Sequence, residues 1–65
     1  MQNSSEKNQE IVEQLRNISV TLADRALTAL KEAHALGESK RPEIERTLTQ
    51  ARRAIEKAIG LLDSE

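Results

Sequence analysis

The stretch Ile11–Leu36, IVEQLRNISVTLADRALTALKEAHAL, decides the fold of this chain. No Pro or Gly interrupts it, and its apolar residues recur at helical spacing. One stripe of the implied helix runs through Ile11, Leu15, Ile18, Leu22, Ala26, Ala29, Ala33 and Leu36, and a second beside it through Val12, Val20, Ala23, Leu27 and Leu30. Together they cover about 200° of the circumference, about twice the arc that packing against one surface needs. Glu10, Glu13, Asn17, Thr21, Asp24, Thr28 and Lys31 fall on the remaining, wet side. A helix with this much apolar surface needs more than one neighbour.

Working outward, Asn3 and Glu6 have the spacing of a capping box, which starts helix 1 at about residue 5. Gly37 directly after Leu36 is the residue able to take the left-handed conformation that closes a helix, so helix 1 is expected over 5–36. Residues 37–41 form a loop, and Pro42 is expected as the first helical residue of helix 2, where its missing N–H costs nothing. Helix 2, over 42–63, carries Ile44, Leu48, Ile55, Ile59 and Leu62 on one stripe, with Ala51, Ala54 and Ala58 beside it. Gly60 weakens its last turn. So short a connection makes the two helices antiparallel neighbours. The expected fold is all-α: a single domain, an antiparallel two-helix hairpin, with two hairpins pairing into a four-helix bundle.

Composition supports the pairing. Sixty-five residues make a thin core, and with no cysteine there is no disulfide to reinforce it, so a second subunit is the expected remedy. Helix 2 is the shorter, at about 33 Å against about 48 Å, and folded back it reaches only to about Leu15. Ile11 and Val12 are then expected on an overhang covered by another chain. The expected dimer or partner interface is Ile11, Val12, Ser19, Val20, Ala23, Leu27 and Leu30, in which Ser19 and Ala23 are small enough to admit a close neighbour. Arg16, at the edge of this face, is expected either to pair with an acidic residue of another subunit or to lay its stem over Val12 and Val20.

The same composition argues against several functions. Without Phe, Tyr or Trp there is no base-stacking platform and no aromatic anchor for a small-molecule pocket. No apolar run approaches the length of a membrane helix, and the opening MQNSSEKNQE is too polar for a secretory signal, so a cytoplasmic protein is expected. Catalysis lacks parts: no Cys or Tyr, one His, no Gly-rich phosphate loop. Glu32 and His34 stand two apart on different sides of the helix and cannot chelate together. Neither enzyme activity, cofactor nor metal is expected.

Two stretches carry alternatives to a regulatory or adaptor protein acting by protein–protein interaction. Residues 38–57 hold six basic and four acidic side chains, and Arg41, Arg46, Arg53 and Lys57 offer a basic stripe along helix 2 that suits RNA or DNA phosphates. In architecture this is similar to the small plasmid-copy-control RNA-binding hairpin dimers. The run AHALGES, Ala33–Ser39, resembles the AHxLKGxS pattern around the phospho-accepting histidine of histidine-phosphotransfer domains. That resemblance implies His34 as phosphoryl acceptor and Gly37 as the small residue beside it. The run lacks the pattern's Lys, and its Gly comes one residue early. Apart from the resemblance, His34 is a side chain that can carry positive charge where the helix dipole favours it.

Overall fold

A computed structural model describes residues 4–64, with side chains from residue 7 onward. It is an all-α hairpin of α1, Ser4–Ala35, and α2, Glu43–Asp63, which run antiparallel and pack along their length. The body measures 56 × 14 × 11 Å, a rod two helices wide. Of the capping-box pair, Asn3 lies outside the described residues and Glu6 outside those whose side chains are described.

The turn follows from Gly37. Its φ of 81° lies in the left-handed region, the only positive φ among the described residues. That twist lets Gly37 N–H donate to His34 C=O at 3.0 Å and Glu38 N–H donate to Ala33 C=O at 3.0 Å, the paired bonds that satisfy the last carbonyls of a helix. Helix 1 therefore stops at Ala35, one residue before the expected boundary. Pro42 differs from expectation by one position as well: with ψ of 146° it is extended and caps α2 from outside the helix. Its carbonyl accepts from Glu45 N–H at 3.2 Å and Arg46 N–H at 3.3 Å, so the first α2 bonds form without a proline N–H.

The packing seam of α1 passes through Val12, Leu15, Ser19, Leu22, Ala26, Ala29 and Ala33, all buried or half-buried. Successive members stand alternately three and four residues apart, the 3.5-residue period of a two-stranded coiled coil. Glu45, Leu48, Ile55, Ile59 and Leu62 supply the facing seam of α2. Because Ser19, Ala26, Ala29 and Ala33 are small, the helices can approach closely, and the distance between helix axes depends on such contact residues.

This seam corrects part of the expected layout. Helix 2 lies over the middle of the α1 apolar arc instead of over one of its two stripes. Val12 is only 1% exposed and Ser19 is buried, both inside the hairpin, so neither is open to a partner. Val12 escapes the overhang because it continues the spacing of Leu15 and Ser19. Ile11, one residue earlier, is 43% exposed.

The two glycines predict opposite effects of one substitution. A Cβ at either position meets nothing within 4 Å, so only backbone terms operate. Gly37→Ala should destabilise by about 1–2 kcal/mol because of its left-handed φ, whereas Gly60→Ala, inside α2, should stabilise by up to about 1 kcal/mol. Urea denaturation at one fixed protein concentration reads both signs.

Candidate functional site

A single seam leaves two long flanks of the hairpin uncovered, and these are the candidate site. The first is bounded on α1 by Ile11, Ile18, Arg25 and Glu32, two helical turns apart in one column. Across from the last two stand Ile44 and Leu48 of α2, which line the same groove together with Thr21, Asp24, Thr28 and Ala29. Farther along, α2 continues this flank with Ala51, Ile55, Ala58 and Leu62 at three- and four-residue spacing, each half-buried. Ile11, Ile18 and Ile44 are 43–58% exposed despite being fully apolar.

The second flank is of mixed character. Its α1 side presents Val20, Ala23, Leu27 and Leu30, with Val20, Leu27 and Leu30 42–60% exposed. Its α2 side is ionic. Arg16, Ser19 and Val20 share a groove with Arg52, Glu56, Ile59 and Asp63. Arg16 pairs with Asp63 at 3.0 Å, tying the end of α2 to its own α1. Arg52 lies 3.5 Å from Glu56, and its Nε–H donates to Ser19 Oγ at 3.4 Å. The expected interface set thus divides in three: Ile11 on one flank, Val20, Ala23, Leu27 and Leu30 on the other, and Val12 and Ser19 sealed between them.

The basic stripe divides too. Arg46, Arg53 and Lys57 are exposed along α2 and enter no ion pair among the described residues. Arg41 is withdrawn from them: its Nε–H donates to Glu45 Oε1 at 2.9 Å. Glu45 is the residue that sequence reasoning missed. An acid in the first turn of α2, where the helix dipole favours it, Glu45 also occupies a seam position, its side chain 10% exposed, and the guanidinium of Arg41 compensates its charge. Its spacing of three from Leu48, continuing the apolar series backward, was the available signal.

His34 is exposed in the last turn of α1, in a shallow concavity at the turn with Leu30, Lys31, Lys40 and Arg41. The helix ends immediately after it, so Gly37 shapes the turn and not a helical approach to the ring. Among the described residues no group of three His, Asp or Glu side chains gathers to hold a metal, and no helix is long and apolar enough to cross a membrane.

Glu45 predicts an unequal pair of substitutions. Arg41→Ala leaves a carboxylate in the seam without its partner and should cost about 1–3 kcal/mol, whereas removing the exposed Arg52–Glu56 pair with Glu56→Ala should cost under about 1 kcal/mol. Chemical denaturation of the two variants makes the comparison.

The chain matches no protein-family model, no curated protein sequence and no solved structure.

Proposed function

We propose that this chain is a small, non-catalytic regulatory or adaptor protein of the cytoplasm that acts through protein–protein interaction, as a homodimer of hairpins forming a four-helix bundle. One observation carries the reading. Among the described residues the buried apolar side chains are Val12, Ala33 and Ile59, while Ile11, Ile18, Val20, Leu27, Leu30, Leu36, Ile44 and Leu61 are 42–79% exposed. A core of that size is small for an independent domain, and exposed aliphatics spread along both flanks are surface awaiting a partner. Two flanks suit an adaptor, since one can hold a second copy while the other stays open.

Sedimentation equilibrium tests the dimer. At micromolar concentration the expected species has twice the chain mass of 7.3 kDa, and its thermal midpoint rises with protein concentration, as mass action requires. A stable folded species at the single-chain mass overturns the reading.

A second reading, contact with RNA or DNA, is favoured by one observation: Arg46, Arg53 and Lys57 lie along one side of α2 free of ion pairs among the described residues. Three such cations predict weak binding that falls steeply with salt. If Arg46→Glu with Arg53→Glu leaves low-salt affinity for a duplex unchanged, this second reading is excluded.

A further inference from the structure

We infer that the apolar flank of Leu22, Ile44 and Leu48 is covered by a second copy of this chain, docked with its turn at the opposite end, so that Arg25 of each copy pairs with Glu32 of the other. The inference rests on the homodimer reading and adds to it a face, an orientation and a register.

The face is chosen by charge. On the flank that holds Val20 and Leu27, α2 contributes Arg52, Glu56 and Asp63, already engaged in ion pairs within the hairpin. On the other flank α2 contributes no charged residue from Ile44 through Leu48, Ala51, Ile55 and Ala58 to Leu62. The α1 column beside it is Ile11, Ile18, Arg25, Glu32, with Asp24 at the outer margin of the groove. Covering this flank therefore desolvates the fewest charges.

The geometry allows a small interface. About an axis between residues 28 and 29, residues 22–35 of the two α1 helices overlap, about 21 Å at 1.5 Å per residue, across a face about 20 Å wide for two helices side by side. That gives about 400 Å2 on each copy and about 800 Å2 in all, the size of a small, weakly held interface.

Arg25 and Glu32 set the register. They are seven residues apart, about 10.5 Å along the helix, and neither forms an ion pair within the chain among the described residues. Burying either charge unpaired is costly. In a twofold dimer, if residue i meets residue j then j meets i. An axis crossing α1 between Thr28 and Ala29 accordingly brings Arg25 to Glu32 twice. An axis at Arg25 or at Glu32 sets like charges face to face. Docking with both turns at the same end lays α1 against the uncharged strip of the other α2 and leaves Arg25 with no acid. Only the antiparallel arrangement about Thr28–Ala29 satisfies both charges.

Charge reversal tests this in the full chain by sedimentation equilibrium, with native mass spectrometry for mixtures. The wild type is expected to dimerise, Arg25→Glu alone and Glu32→Arg alone to weaken the dimer about tenfold or more, and the double variant to regain it. An equimolar mixture of the two single variants should form a heterodimer, because every cross-interface contact then joins opposite charges. Glu10→Gln, on the wet side of α1 outside both flanks, should leave the affinity within about twofold of wild type. A dimer whose affinity neither reversal changes, or a double variant no tighter than the singles, overturns the register while leaving the homodimer standing. A wild-type chain that remains monomeric overturns both.

Discussion

The structure depends on one narrow contact, the seam where Ser19, Ala26, Ala29 and Ala33 let α2 lie close against α1. Small residues gain little from burial individually, and the hydrophobic effect scales with the area removed from water. What they supply is proximity, and the larger Leu15, Leu22, Ile55 and Ile59 stand buried or half-buried in the same seam. The cost of so slender a contact is that each helix hides a single stripe. The broad apolar arc of α1 is split down its middle, and its two margins face outward.

The polar groups of the hairpin conform to this division. Arg16–Asp63 and Arg52–Glu56 lie along one margin, and the Arg52 bond to Ser19 fastens the seam from that side. Buried side-chain polar atoms among the described residues all have hydrogen-bond partners. Even Glu45, an acid in an otherwise apolar row, is answered by Arg41 four residues before it. The charges of one margin are thereby paired within the hairpin, whereas Arg25 and Glu32 on the other enter no ion pair among the described residues, an asymmetry that composition alone, nearly neutral overall, does not convey.

Much of the architecture was legible in the residues. Gly37 after a long uninterrupted apolar period, followed by Pro42, is enough to place two helices and a tight turn, because each has a specific backbone requirement that those residues meet. The excess breadth of the α1 face was equally plain. Less visible was the position of α2 on that face. A 3.6-residue wheel shows two adjacent stripes and offers no reason to prefer the valley between them. A 3.5-residue period, sustained from Val12 to Ala33, singles out that valley, and with it the fates of Val12 and Ser19. Ion pairs across the hairpin, such as Arg16 with Asp63, depend on axial register and so could not be read from either helix by itself.

That axial register has its own origin. A seam that repeats every seven residues specifies which sides of two helices meet and is nearly indifferent to how far one has slid along the other, since a shift of one repeat restores the same pattern. The hairpin resolves the degeneracy at its two ends. The left-handed turn at Gly37 anchors one end, and the pair between Arg16 and Asp63 marks the other, so the ends work like the two scales of a vernier. Lengthening the loop at 38–41 would relax the first scale, and the second would then have to choose among otherwise equivalent notches on its own.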